Sequence, residues 1–216
     1  MKIRGAIFDM DGTLTASMHV WKTIGSEFLK SRGITPKEDV DRRFCSMSVF
    51  EAVHNILKKD YDIPGDADEI IDSINRTVEN KYRTEVVLKD GAEEFLEHLK
   101  GLGVRMCVAT ATDKYLADET LRRLGIRDYF GDIFTSRLIG AGKDKPDIYL
   151  AAVDFLGTAV SETAVFEDSP GAATTAKNAG FIVCGLHDES FAHRREELYR
   201  VADVVTPTLR GRIDLF

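Results

Sequence analysis

Polar side chains with catalytic potential follow several short apolar segments of this chain. Two carboxylates spaced two residues apart follow the first apolar segment, and an adjacent pair of acids follows a later one. Carboxylates can serve as nucleophiles, as general acids or bases and as ligands of hard cations, while an ammonium or hydroxyl group can hold an anion. The residues concerned are Asp9, Asp11, Thr110, Lys143, Glu167 and Asp168.

The apolar segments and the patterns between them predict a sheet that would bring these side chains together. The segments are Ile3–Phe8, Val104–Ala109, Ala164–Phe166, Phe181–Cys184 and Val204–Val205. Such runs are typical of strands buried on both faces, and helical patterns closed by a glycine separate the later ones. These patterns cover Lys114–Leu124, Asp147–Leu156 and Pro170–Ala179. The alternation predicts an α/β fold with a doubly wound parallel sheet, in which ligands bind beyond the carboxyl ends of the strands.

Residues 15–88 interrupt this alternation. Their apolar residues repeat at helical spacing, and the segment contains no convincing strand pattern. Capping boxes, in which a side-chain acceptor precedes an acid by three residues, mark helix starts here and at the next helix. The first residues of these boxes are Thr35, Ser48, Asp66 and Asp90. We therefore predict a core formed by residues 1–14 and 89–216, with a helical domain of residues 15–88 inserted after the first strand.

Each of the polar residues also has an ordinary structural interpretation. Asp9 and Asp11 could form a turn after a strand, and the acids at 167 and 168 could cap the helix that Pro170 begins. A threonine at a strand end and a lysine in a loop are common without any function. The joint placement of four polar clusters at one predicted sheet edge favours a functional site.

The four clusters, taken in order, resemble the motifs of the haloacid dehalogenase superfamily. They are Asp9-x-Asp11-Gly12-Thr13, Thr110, Lys143 with Pro146-Asp147, and Glu167-Asp168-Ser169 with Gly171. The helical insert is similar to that family's small α-helical cap, and the stretch 167–180 resembles the branch of phosphoglycolate phosphatase and beta-phosphoglucomutase. The resemblance implies a Rossmann-like core, bound Mg²⁺ and phosphoryl transfer through an aspartyl phosphate.

The resemblance assigns a role to each acid. It implies that Asp9 is the nucleophile and that Asp11 is the general acid and base, which are roles that positioned carboxylates can fill. It also implies that Asp9, Asp168 and the backbone carbonyl of Asp11 bind Mg²⁺, with Glu167 as an outer or auxiliary ligand. Relatives that cleave carbon–halogen bonds or phosphonates lack the second acid, so Asp11 favours a phosphate ester as substrate.

The same resemblance implies a phosphate-binding set. Lys143 and the Thr110 hydroxyl would hold the phosphoryl oxygens, together with backbone N–H groups near Gly12 and Ala111. The third motif of the family commonly reads Lys-Pro-x-Pro, whereas here Lys143 is followed by Asp-Lys-Pro, so Lys145 is a second candidate for the catalytic lysine.

Two further departures from the family pattern concern the predicted cap. Ala16 stands where many relatives have an acid. Mutase relatives hold the second phosphate of their substrate with an arginine in a cap loop, but the matching stretch, 44–49, contains none, and Arg42 and Arg43 lie just before it. A hexose-phosphate mutase is therefore the alternative to a phosphatase, and a non-catalytic regulatory protein that binds a phosphate ligand is an alternative of another class. Candidate specificity residues in the insert are His19, Trp21, Arg42, Arg43, Phe44 and Met47.

Composition limits the partners. The 216 residues carry a formal net charge of −7 without a basic run, so binding to nucleic acid or to an anionic membrane is not expected. The three cysteines have no metal-binding or redox spacing, and the first apolar segment is too short and too acidic for a signal peptide. We expect a cytoplasmic monomer or weak dimer that acts on a small-molecule phosphate ester.

Overall fold

Six parallel strands form one sheet in the computed structural model, which describes residues 2–45 and 47–212. The strands are β1 (Gly5–Phe8), β2 (Arg105–Thr110), β3 (Ile133–Thr135), β4 (Thr163–Glu167), β5 (Ile182–Leu186) and β6 (Val204–Thr206). Their order across the sheet is β3-β2-β1-β4-β5-β6, and every neighbouring pair is parallel. The predicted doubly wound α/β fold is thereby confirmed, and β3 is a strand for which no residues were predicted.

The central strand β1 is buried on both faces because its side chains alternate between two apolar layers. Ala6 and Phe8 belong to one buried cluster and Ile7 belongs to the other. Phe8 stacks on Phe166 of β4 with ring centroids 4.3 Å apart, and the edge of Phe95 packs against both rings. The aromatic contact fixes β1 against β4, the two strands whose ends carry the first and fourth motifs.

Helices occupy the predicted insert after β1. They are α1 (Met18–Trp21), α2 (Ile24–Ser31), α3 (Val40–Phe44), α4 (Val49–Ala52), α5 (Lys59–Tyr61) and α6 (Ala67–Thr84), with a π-helical segment (Val53–Lys58) joining α4 to α5. The chain enters and leaves this helical insert through adjacent segments, because Ala16 N–H donates to the Val87 carbonyl and Lys89 N–H donates to the Leu14 carbonyl. The two ends of the insert therefore lie side by side where they connect to the core.

The predicted capping boxes have different outcomes. Ser48 and Glu51 form a reciprocal box at the start of α4, and Asp66 caps α6 by accepting from two backbone N–H groups. Thr35 does not begin a helix, since α3 starts at Val40. The box at Asp90 is also absent, because the Asp90 carboxylate instead accepts from the Arg210 guanidinium.

The remaining helices flank the sheet. They are α7 (Ala92–Gly101), α8 (Lys114–Arg123), α9 (Ser136–Ile139), α10 (Asp147–Leu156), α11 (Pro170–Asn178) and α12 (Arg195–Val201), and short 3₁₀ turns cover Arg127–Tyr129, Val160–Glu162 and Glu189–Arg194. The three predicted helical patterns correspond to α8, α10 and α11. Among the described residues, no helix has both the length and the apolar content needed to cross a membrane.

The strand order reverses between β1 and β4. Crevices at such a reversal, beyond the carboxyl ends of the strands, are where open α/β sheets bind ligands. The crevice here lies between the residues that follow Phe8 and those that follow Phe166. The fold therefore places Asp9 on one side of this crevice and Glu167 and Asp168 on the other.

The aromatic contact beneath this crevice predicts a large effect on stability. Replacing the fully buried Phe8 by alanine is expected to lower the free energy of unfolding by about 3–5 kcal/mol, because the cavity in a stack of rings closes only in part. Leu102→Ala is the control: that side chain is half exposed and its loss should change the free energy by about 0.5 kcal/mol or less. Denaturant unfolding curves measure both, and equal effects would contradict this account of the core.

Candidate active site

The turn after β1 depends on a glycine. Gly12 has a φ of +91°, a conformation that residues with a Cβ rarely adopt, and its N–H donates to the Thr15 carbonyl at 2.9 Å. A Cβ at this position would lie 2.0 Å from Oδ2 of Asp168. The absence of a side chain thus lets the turn that carries Asp9 and Asp11 close over the carboxylate that follows β4.

Three buried carboxylates gather at this edge. Oxygens of Asp9, Glu167 and Asp168 all lie within 4.8 Å of one another. Oδ2 of Asp9 and Oδ2 of Asp168 are buried and have no hydrogen-bond partner among the described residues. Buried carboxylate oxygens are rarely left unsatisfied, and a hard cation such as Mg²⁺ prefers oxygen ligands of this kind. The donor set fits a divalent metal.

Lys143 supplies the nearby positive charge. Its Nζ donates to Oδ1 of Asp9 and, at 2.6 Å, to Oε1 of Glu167. Glu167 is held in turn by the Tyr149 hydroxyl, which donates to Oε1 at 3.0 Å, and by the Ser169 N–H, which donates to Oε2 at 3.2 Å. Glu167 therefore orients the lysine ammonium toward Asp9.

One ammonium does not balance this much buried negative charge. Burial raises the pKa of the Asp9 carboxyl to about 8. The charge of Lys143 lowers this pKa and the charge of Glu167 raises it, but burial has the largest effect. Burial and the charge of Asp9 likewise raise the pKa of Asp168. Burial alone would lower the pKa of Lys143, but its two acidic partners raise it above its usual value. A further cation would stabilise the ionised carboxylates.

Three hydroxyl groups surround the second acid. Oδ1 of Asp11 accepts from the Ser17 hydroxyl at 2.6 Å and from the Tyr82 hydroxyl at 2.5 Å, and Oδ2 accepts from the Thr112 hydroxyl at 2.6 Å. The Trp21 indole N–H donates to the Tyr82 oxygen, which leaves the tyrosine proton directed at Asp11. Tyr82 lies on α6, so the helical insert contacts the acid directly.

The second motif lies beneath the site surface. The Thr110 side chain is fully buried, its oxygen accepts from Thr112 N–H at 3.0 Å, and it lies 3.5 Å from Oδ2 of Asp11. Ala111 and Thr112 line the cavity above it. Of the two candidate lysines, Lys143 contacts Asp9, whereas Lys145 is exposed and lies away from the cavity wall.

Four contact residues were not predicted: Ser17, Tyr82, Thr112 and Tyr149. The spacing of Thr112, two residues after Thr110, could have indicated it, because both follow the same strand. Tyr82 is 71 residues from Asp11 in the chain, so no local pattern relates them.

The site opens into a cavity of about 320 Å³ between the sheet edge and the helical insert. Apolar side chains make much of its wall: Met18, Trp21, Phe44, Met47 and Val49 from the insert, and Phe191 from the segment after β5. Three of the predicted specificity residues, Trp21, Phe44 and Met47, are on this wall. The described wall does not include the other three, His19, Arg42 and Arg43, and Ser46, within the predicted loop 44–49, lies outside the described residues.

The buried ion pairs predict an effect on stability. Lys143→Met removes the ammonium and leaves Asp9 and Glu167 facing each other, so we expect the free energy of unfolding without divalent metal to fall by about 3 kcal/mol. Lys145→Met is the matched control, with an expected change of about 0.5 kcal/mol or less at an exposed position. Urea unfolding at neutral pH in the presence of a chelator compares the two variants, and equal changes would show that the buried pair adds nothing.

Comparison with known proteins places these features in a family. The model of haloacid dehalogenase-like hydrolases matches residues 3–180. A phosphorylated carbohydrates phosphatase of Thermotoga maritima is 31% identical over 185 residues, which cover 82% of each chain. Beta-phosphoglucomutase of Bacillus subtilis is 28% identical over 200 residues, covering 85% of this chain and 83% of that protein.

Solved structures agree on the fold. The crystal structure of CbbY from Rhodobacter sphaeroides in complex with phosphate matches with a TM-score of 0.83 and 21% identity, over 97% of this chain and 96% of that one. The family model covers most of the chain, and the four motifs that suggested the resemblance lie at one edge of the sheet. The chain therefore belongs to the haloacid dehalogenase-like hydrolases.

Proposed function

We propose that this protein is a Mg²⁺-dependent phosphatase that hydrolyses a small-molecule phosphate monoester through an aspartyl phosphate on Asp9. The observation that carries the proposal is the buried trio of carboxylates beside Lys143, in which two oxygens have no partner. A second acid, Asp11, is held at the same edge, as the reaction requires. The relatives named as phosphatases support a phosphate ester as substrate.

Asp9 is the nucleophile in this proposal. Its attack on phosphorus would transfer the phosphoryl group to the carboxylate and release an alcohol, and water would then attack the aspartyl phosphate to release inorganic phosphate. The ammonium of Lys143 orients the carboxylate before attack, because it donates to Oδ1. Oδ2, which has no partner, is free to react or to bind a metal.

Asp9, Asp168 and the backbone carbonyl of Asp11 would hold Mg²⁺, with Glu167 as an auxiliary ligand. The metal supplies positive charge that offsets the phosphate and the crowded carboxylates. Glu167 has another role supported by its contacts: it accepts from the Lys143 ammonium, which also donates to Asp9, and so holds the ammonium in place. The ammonium would then offset the charge of a phosphoryl oxygen while it keeps its hydrogen bond to Glu167.

Asp11 moves the protons. Its protonated form would donate to the leaving alcohol, and its ionised form would take a proton from the attacking water. The three hydroxyl groups that donate to it fix the position of its carboxylate at the sheet edge. Because Tyr82 belongs to α6, this positioning depends on the insert lying against the core.

Lys143 and backbone N–H groups near Gly12 and Ala111 would bind the phosphoryl oxygens, with the buried Thr110 hydroxyl, which the resemblance also assigns to the phosphate, behind them. Thr110 supports this set from below, since its oxygen accepts from the N–H of Thr112 on the cavity wall. Residues 15–88 would act as a cap that excludes water from the reaction, with residues 1–14 and 89–216 as the catalytic core.

The cavity favours a phosphatase over the alternatives. A mutase needs a cation for the second phosphate of its substrate, but Arg43 pairs with Asp60 at 2.6 Å, and neither Arg43 nor Arg42 is on the described wall. A non-catalytic binding protein would not need an intact nucleophile and second acid. The cytoplasmic location and the monomeric or weakly dimeric state stay predictions.

The nucleophile and the metal are tested together. Asp9→Asn should lower kcat for p-nitrophenyl phosphate by about 1000-fold or more, because an amide cannot form the acyl phosphate. A chelator should abolish the activity of the unchanged protein, and excess Mg²⁺ should restore it. Asp62→Asn is the control, since that exposed residue has a left-handed backbone that asparagine also adopts. Full activity in Asp9→Asn or in chelator would falsify the proposal.

The role of Asp11 predicts a dependence on the leaving group. Nitrophenolate leaves without a proton, whereas an alkoxide needs one, so Asp11→Asn should reduce kcat/KM for an alkyl phosphate by about 100-fold or more and for p-nitrophenyl phosphate by much less. The kcat/KM value reports the steps up to transfer onto Asp9, which separates this effect from the later hydrolysis. Equal losses with both substrates would mean that Asp11 does not protonate the leaving group.

A further inference from the structure

Beyond the reaction centre, the cavity wall is mostly apolar and carries little positive charge. Lys143 is directed at Asp9 and Glu167, so its ammonium belongs to the phosphate site. Among the other residues of the described wall, Arg194 is the cation that remains. Whatever the phosphate is attached to must therefore be held by apolar contacts and by a small number of charged groups.

Arg194 is already engaged by an acid. Its Nε donates to Oε1 of Glu197 at 3.0 Å and its Nη2 donates to Oε2 at 2.7 Å, in the two-point geometry that arginine also uses for carboxylates and phosphates. An anion on the substrate would have to compete with Glu197 for these donors. On the described wall, the cation that could bind a second anionic group is thus already paired.

Two acids add negative charge to the wall of this cavity. Glu51 of α4 and Asp144 of the loop before α10 both line it. A Cβ on Gly142 would lie 2.8 Å from Oε1 of Glu51 and 2.8 Å from Oδ1 of Asp144, so both carboxylates face one backbone position. Oε2 of Glu51 accepts from the Ser48 N–H and hydroxyl, which fixes the side chain in this direction.

We infer that this cavity selects phosphate monoesters whose alcohol is uncharged or cationic and rejects those that carry a second anionic group. The inference rests on the proposed function and deepens it. Its basis is the charge of the described wall: Glu51 and Asp144 line the cavity, and Arg194, the cation of that wall besides Lys143, is paired with Glu197. A second anion would be repelled by both carboxylates and would compete with Glu197 for Arg194, and such like-charge contacts discriminate strongly between ligands.

Three esters of similar size test the inference because they differ in the charge of the alcohol. They are 2-hydroxyethyl phosphate, which is neutral there, O-phosphoethanolamine, which is cationic, and phosphoglycolate, which is anionic. With Mg²⁺ present, kcat/KM for phosphoglycolate should be at least about 10-fold below the neutral ester, and the cationic ester should equal or exceed the neutral one. Competition against hydrolysis of p-nitrophenyl phosphate ranks the binding of each ester even where its own turnover is slow.

The outcomes separate the inference from the function beneath it. If phosphoglycolate is used or bound as well as the neutral ester, the inference is wrong and the phosphatase proposal stands. If neither the esters nor p-nitrophenyl phosphate is hydrolysed, both fail. If the ranking appears, and added salt narrows it, the wall acts through its charge.

Variants of the wall test the cause. The quantity compared is kcat/KM for phosphoglycolate divided by kcat/KM for the neutral ester. Glu51→Gln and Asp144→Asn should each raise this ratio by about 3-fold or more. Glu197→Gln should also raise the ratio, because this change leaves the Arg194 guanidinium without its acid. Glutamine is also found at the third position of capping boxes, so Glu51→Gln is expected to keep α4. Glu93→Gln, at an exposed position on α7, is the control and should leave the ratio unchanged. Equal ratios in all four variants would overturn the electrostatic cause.

Discussion

The structure of this protein depends on the crowding of carboxylates at one buried edge of the sheet. Carboxylate oxygens of Asp9, Glu167 and Asp168 lie within 4.8 Å of one another. The ammonium of Lys143 contacts Asp9 and Glu167. Burial strengthens the repulsion between these acids, so the edge is stable only with the lysine held in place and is better stabilised by an added cation. The same imbalance that would weaken an ordinary core is what suits this edge to a cation.

The surrounding fold maintains this arrangement. The aromatic stack of Phe8 on Phe166 fixes the two strands that carry the acids, and Gly12 allows the turn after β1 to approach Asp168. The helical insert completes the site from above, because Tyr82 donates to Asp11 and Trp21 donates to Tyr82. The insert therefore contributes to the site in two ways. Tyr82 contacts the second acid, and other residues of the insert line the cavity that would receive the alcohol.

The charge of that wall distinguishes the distal cavity from the reaction centre. At the centre, Lys143 and a divalent cation would attract the phosphate. Elsewhere on the described wall, Glu51 and Asp144 add negative charge and Glu197 pairs with Arg194. The proposed selectivity therefore rests on a site that would attract one anion beside a surface that would oppose a second.

The sequence by itself determined the doubly wound α/β class and the helical segment after β1, and it singled out the candidate acids that lie at the ends of β1 and β4. These features are local, because the strand, the turn and the polar residue that follows are contiguous in the chain, as in Phe8-Asp9 and Phe166-Glu167. Local patterns placed a helix start at Thr35, whereas α3 begins at Val40, and a capping box at Asp90, whose carboxylate pairs with Arg210 instead. Only the tertiary structure decided that Tyr82 and Thr112 hold Asp11 and that Glu51 and Asp144 line the same cavity. The reason is physical: hydrogen bonds and charge balance depend on side-chain directions and on residues more than a hundred positions apart, which no spacing in the chain records.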